Sequence, residues 1–148
     1  MSTQIVLLNG PNLDLLGERS PEIYGTMTLA EHVARFSAIA ATFDAQVTHV
    51  QSNFEGELIE AVHAARHGAH AIVINAGALT HSSWALSDAL DTFNGIKIEV
   101  HLSNPAGREP FRHLSTLAVA VDGSIAGFGA TSYDLAAYAV RDLLAARG

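Results

Sequence analysis

Five short apolar runs, separated by amphipathic segments, limit what this 148-residue chain can become. The runs are Ile5–Leu8, Val47–Val50, Ala71–Ile74, Ile96–Val100 and Leu117–Val121. Each is rich in β-branched residues and almost wholly apolar, as strands covered on both faces are. Thr28 opens a helix, with Glu31 three residues on in a capping-box pattern and an apolar stripe of Leu29, Val33, Phe36, Ala40 and Phe43. A second helix follows Asn53 and runs to about His67, with Gly68 as its C-terminal cap. A third starts near Ser82 or Ser83, carries Leu86, Ala89, Leu90 and Phe93, and stops before Gly95. The last carries Leu135, Ala139, Val140, Leu143 and Leu144. Five strands alternating with four long helices predict an α/β fold, a parallel sheet between two helical layers. The chain is too short for two mononucleotide-binding halves. A flavodoxin-like three-layer sandwich, as a single domain over residues 1–148, fits best.

In such sheets, ligands bind beyond the carboxyl ends of the strands. Polar residues gather there. Asn9 and Asn12 follow the first run, and Asn75 and His81 follow the third. Glu99, His101, Ser103 and Asn104 end or follow the fourth, with Arg108 and Arg112 just after. The first run also empties into a long loop, Asn9–Gly25, that holds two Pro, three Gly, Arg19 and Tyr24. Connections in compact domains average about 4–6 residues, and longer ones are commonly lids or binding loops.

Composition removes several function classes. A net charge of −7 with a single lysine, Lys97, argues against a nucleic-acid surface. Zero cysteines exclude a thiolate nucleophile, a disulfide framework and a cysteine metal site. No signal-peptide pattern and no membrane-length apolar run is present, so the cytoplasm is the expected location. His63 and His67 lie four apart, which reads as surface rather than as a metal site. Gly123, Gly127 and Gly129 lack dinucleotide-fingerprint spacing and read as turn and packing glycines.

Two pairs carry chemistry. An ordinary tyrosine has a pKa of about 10, so roughly one in a thousand is ionised at neutral pH. A cation within about 4–6 Å lowers a pKa by about 1–3 units. Arg19, five residues from Tyr24, could thus turn the phenol into a base. The same spacing also fits a surface arginine beside a tyrosine packed under its loop. Strand alternation puts Glu99 and His101 on one face, where the carboxylate would orient the ring and favour its protonated form. That suits a general acid, and equally a satisfied polar pair at a strand end. The stretch Asn75–Ser83 offers amides and hydroxyls to a polyhydroxylated ligand and also ordinary helix capping. Lys97 lies one alternation further back from the strand end, badly placed for a Schiff base.

Together these residues resemble the type II 3-dehydroquinate dehydratases. The motifs are Leu8-Asn9-Gly10-Pro11-Asn12-Leu13 with Leu15-Leu16-Gly17 and Tyr24-Gly25; Gln51-Ser52-Asn53 with Glu55-Gly56-Glu57-Leu58; Ile74-Asn75 with Gly77-Ala78 and Thr80-His81; Glu99-Val100-His101 with Ser103-Asn104; and Arg108-Glu109 with Phe111-Arg112. The resemblance spans Ile5 to about Tyr138. It implies reversible loss of water from 3-dehydroquinate through an enolate, in aromatic biosynthesis or quinate breakdown. It implies Tyr24 as base, Arg19 as its activating lid residue, Asn12 as enolate stabiliser, His101 as acid and Glu99 as its orienting carboxylate. It implies substrate contacts from Asn75, His81, Arg112 and the backbone of Leu102 and Ser103, and Asp88 reaching a neighbouring subunit's site. No metal or cofactor is implied, and the expected assembly is a dodecamer of four trimers. Asp14, Phe54, Ala76, Ser87 and Ser132 depart from the family pattern, and Ser87 and Asp88 share the helix implied in subunit contact. Two other readings on the same fold are a non-catalytic module for a small carboxylate and a flavin carrier.

Overall fold

The computed structural model describes residues 2–148. Its sheet has five parallel strands: β1 (Thr3–Asn9), β2 (Ala45–Gln51), β3 (Ala71–Asn75), β4 (Ile96–His101) and β5 (Gly123–Ala126). They lie in the order β2-β1-β3-β4-β5, the flavodoxin-like order. Four helices cover the faces: α2 (Leu29–Ala41), α3 (Glu55–Ala65), α4 (Trp84–Asp91) and α5 (Ala130–Arg147). A single helical turn, α1 (Pro21–Tyr24), sits in the long first loop, too short to show periodicity in the sequence.

The three layers follow from where the apolar side chains go. Ile5, Leu7, Val73, Ile98 and Val100 pack with Phe36 and Ala40 of α2 and Ala136, Ala137 and Val140 of α5. On the other face Leu8, Ile72 and Ile74 pack with Leu58 and Val62 of α3 and Leu86 and Leu90 of α4. Each Val, Leu, Ile or Phe among them contributes about 1.5–3 kcal/mol when fully buried. Helix starts obey local chemistry. The Thr28 hydroxyl accepts from the Glu31 N–H at 3.2 Å, and the Ser83 hydroxyl accepts from the Leu86 N–H at 3.0 Å.

The fifth strand is not where the apolar run predicts it. Within Leu117–Val121, residues Ala118–Ala120 form one 3-10 turn. Leu117 and Ala120, three apart, are buried while Val119 is 82% exposed, a period no strand can present. Pairing to β4 starts only after the Asp122 N–H donates to the Lys97 carbonyl at 2.8 Å. The strand itself, Gly-Ser-Ile-Ala, is an exposed edge without an apolar pattern. Gly127 and Gly129 make the turn into α5 with φ of 93° and 57°, whereas Gly123 opens β5.

Candidate active site

The chain leaves β1 to one side, to form β2, and returns to the other, to form β3. The crevice of the sheet therefore opens beyond Asn9 and Asn75, which are partners in the ladder. The loops that follow them touch. The Gly10 N–H donates to the Asn75 carbonyl at 2.8 Å, and a Cβ on Gly10 would lie 2.5 Å from the Ala76 carbonyl oxygen. Gly77 takes φ 59° with its α-carbon facing the Pro11 carbonyl. Asn12 holds a left-handed φ of 69°, and its N–H donates to the Asn53 side chain at 2.9 Å. Gln51 donates to the Gly10 carbonyl at 3.2 Å, so the Gln51-Ser52-Asn53 segment props the first loop.

Leu13 and Leu16 anchor that loop in the core. Beyond them it crosses the strand ends and carries Arg19 and Tyr24 over the crevice. One cavity is lined by Asn12, Arg19, Tyr24, Asn75, His81, His101, Leu102, Ser103, Arg108 and Arg112. Every predicted site residue except Glu99 and Asp88 lines it. Glu99 lies just behind, bonded to His101. Asp88 is exposed on α4, away from this cavity.

Two charged clusters line it. The Arg19 guanidinium carbon lies 4.8 Å from the Tyr24 ring centroid, over the ring rather than at the hydroxyl. The hydroxyl is met by Arg108, which donates to it at 3.0 Å and to the Ser103 hydroxyl at 3.2 Å. The sequence puts Arg108 near this edge without assigning it a partner. The pairing spans 84 residues and has no local signal. In the second cluster, His101 Nε2 meets Glu99 Oε2 at 2.6 Å, and the Ser115 hydroxyl donates to Glu99 Oε1 at 2.6 Å. Burial pushes the Glu99 carboxyl up, but the bonds from His101 and Ser115, with the positive potential of His101 and His81, outweigh it and hold the group below its ordinary value. With Nε2 occupied, His101 has only Nδ1 left for a ligand. Ser115 is a second residue whose part is not visible from sequence spacing.

The remaining polar groups are also oriented. His81 Nδ1 lies 2.7 Å from the Leu114 carbonyl, which can only accept, so Nδ1 carries a proton and Nε2 is the nitrogen left for a ligand. Arg112 is bonded to Glu109 at 3.0 Å. Lys97 donates from Nζ to the Leu90 carbonyl at 3.1 Å and lines no part of the cavity. Among the described residues, no group of three or more histidine or acidic side chains is arranged to hold a metal. The departures from the family pattern lie outside the cavity lining. Ser87 is buried within its own subunit, Ser132 accepts from the Phe128 N–H at 3.0 Å, and Phe54 is exposed at the start of α3.

A phenol with two guanidinium groups thus shares one cavity with an imidazole paired with a carboxylate, groups that can take up and release protons. The family model described as dehydroquinase class II matches residues 3–141. The chain belongs to that family. It is an enzyme, a hydro-lyase. It is 49% identical to the 3-dehydroquinate dehydratase of Cereibacter sphaeroides over 145 residues, covering 98% of this chain and 99% of that one. With the 3-dehydroquinate dehydratase of Proteus mirabilis it shares 52% identity over 132 residues, 89% of this chain and 90% of that one. The crystal structure of type II dehydroquinase from Butyrivibrio crossotus superposes with a TM-score of 0.92 at 38% identity, covering 95% of this chain and 98% of the other. This hydro-lyase thus has the fold of the type II class over nearly its full length. Among its described residues no helix is long and apolar enough to cross a membrane.

Proposed function

We propose that the enzyme removes water from 3-dehydroquinate to give 3-dehydroshikimate, through an enolate, with Tyr24 as base and His101 as acid. The substrate follows from the relatives, which carry that activity in their names. The observation that carries the mechanism is that Tyr24 and His101 line one cavity, each with its own charged partner behind it. Arg108 at the hydroxyl and Arg19 over the ring put positive charge where a phenolate would form. As a phenolate, Tyr24 takes the hydrogen beside the ketone, and the electron pair moves onto the carbonyl oxygen. Asn12 then stabilises the enolate. As the enolate collapses, the carbon–oxygen bond to the departing hydroxyl breaks and His101 supplies its proton. Glu99 keeps the ring aimed. One base and one acid, each worth about 10²–10⁴-fold when well placed, account for such an elimination without a redox step.

Arg112, His81, Asn75 and the backbone at Leu102 and Ser103 hold the carboxylate and hydroxyls in this reading. Asp88 serves a neighbouring subunit's site in a trimer-based dodecamer. Its exposure supports that role, as does Trp84, one helical turn away and 58% exposed. The test is the growth of enone absorbance on mixing with 3-dehydroquinate. Tyr24→Phe and His101→Ala should each lose at least about a hundredfold in kcat. Full activity in either variant overturns the roles assigned here.

A further inference from the structure

A chain of buried polar groups runs behind the cavity, and the mechanism above leaves it without a part. Its centre is Tyr133, in the first turn of α5 and 1% exposed. The phenol sits under the ladder partners Asn9 and Asn75. Its oxygen lies 2.5 Å from Asn9 Oδ1 and 3.1 Å from Asn75 Nδ2. Asn9 Nδ2 in turn lies 3.0 Å from His49 Nε2, on the edge strand β2. At the other end the Gly77 N–H donates to Asn75 Oδ1 at 3.2 Å.

The direction of this chain is determined. The Gly77 N–H can only donate, so Asn75 must turn its oxygen toward Gly77 and its amino group toward Tyr133. The phenol, having accepted from Asn75, donates its one proton to Asn9 Oδ1. The Asn9 amino group then donates to His49 Nε2, which carries no proton. Run in reverse, the chain would set the Asn75 amino group against the Gly77 N–H, two donors facing each other. Burial holds the His49 imidazole below its ordinary pKa, which agrees with an unprotonated acceptor at this end.

We infer that Tyr133 is a positioning residue: bonded to the Asn75 amino group while the Gly77 N–H holds the oxygen, it clamps the Asn75 amide in place for the substrate. The inference rests on the reading that Asn75 contacts substrate. Tyr133 itself lines no part of the cavity. A phenylalanine would fill the same space and leave each amide with a single partner, Asn75 with the Gly77 N–H and Asn9 with His49. An amide held at both ends offers substrate hydroxyls a fixed donor and acceptor, and one held at a single end positions them less sharply.

Steady-state kinetics on Tyr133→Phe, Asn75→Ala and the double variant test this, each first shown to melt cooperatively. Tyr133→Phe removes two neutral hydrogen bonds, of which the one from Asn75 bears on the substrate, and should lower kcat/KM by about three- to tenfold, mainly through KM. If Tyr133 acts through Asn75, the double variant is no worse than Asn75→Ala alone. Effects that multiply, or a Tyr133→Phe with unchanged kinetics beside an impaired Asn75→Ala, overturn the inference. An Asn75→Ala enzyme with unchanged kinetics instead overturns the underlying role of Asn75, and the inference with it. Should Tyr133→Phe fail to fold, fluorotyrosine labelling of the unsubstituted enzyme decides, since the chain has only three tyrosines. Saturation with 3-dehydroquinate should move the Tyr133 fluorine resonance, and Asn75→Ala should abolish that movement. A resonance indifferent to the substrate overturns the proposal.

Discussion

Replacing Arg108 with methionine removes a positive charge from the Tyr24 hydroxyl while keeping most of the side-chain volume. The guanidinium donates to that oxygen at 3.0 Å, an ordinary N–H···O distance with a charged donor. Such a bond contributes about 1.5–3 kcal/mol. At about 1.36 kcal/mol per tenfold, the expected loss is roughly 10- to 150-fold. Arg19 makes a useful contrast. It lies over the ring at 4.8 Å, and a cation–π contact of that kind is worth about 0.5–2 kcal/mol, or roughly two- to thirtyfold. Arg108→Met should therefore be more damaging than Arg19→Met, although Arg19 is the nearer of the two in sequence.

The loss should fall on kcat if Arg108 supports the base in the chemical step, and on KM if it chiefly holds substrate. We expect it on kcat. Initial rates of enone formation at subsaturating and saturating 3-dehydroquinate separate the two. Arg108→Lys keeps the charge but not the guanidinium plane that lies over the Tyr24 ring while its Nη1 donates to Tyr24 and Ser103, so it should recover activity only in part. An Arg108→Met enzyme within threefold of wild type would refute this reasoning. So would a lysine variant as impaired as the methionine variant, because charge would then not be the operative quantity.

Two further expectations concern the scaffold. Burial, reinforced by Arg35 and opposed by Glu31 and Asp134, holds His32 below its ordinary value of 6.5, and both ring nitrogens are buried without partners. The unfolded chain takes up that proton first, so stability falls as the pH drops below about 6.5. The gain in melting temperature from His32→Leu should accordingly be larger at pH 5 than at pH 8, and a gain independent of pH would count against this account. Gly10→Ala puts a methyl 2.5 Å from the Ala76 carbonyl, a backbone atom that cannot step aside. It should destabilise by about 1–3 kcal/mol in a denaturant titration and lower kcat/KM by parting the two loops, whereas Gly56→Ala, with open space at that position, should do neither.

Local and periodic signals carried the fold. The runs that became β1, β3 and β4 are apolar because both faces are covered, and Thr28 and Ser83 begin helices because their hydroxyls satisfy free N–H groups. The reading failed where covering is partial. β5 is an edge strand whose exposed Gly-Ser pair leaves no apolar run, and the adjacent Leu117–Val121 is apolar for another reason, a turn dipping twice into the core. Ser87 is the same lesson in reverse: it sits beside Asp88 in sequence yet faces inward on the opposite side of α4.

For the site, the residues readable from sequence are those that end strands or sit in the long first loop. Those missed, Arg108, Ser115 and Tyr133, meet partners distant in sequence, and for Tyr133 strand register makes the link. Tyr133 belongs by periodicity to the apolar face of α5, with Ala136, Ala137 and Val140, so its hydroxyl looks like an accident of the core. It becomes more than that because Asn9 and Asn75 are ladder partners, which brings both amides within reach of one phenol. A one-residue slip between β1 and β3 would turn one amide to the opposite face of the sheet and break the chain. The same pairing sets Gly10 against Ala76 and so fixes where the lid loop begins. Register is thus the physical link between the apolar strands that specify the fold and the polar groups that face the substrate.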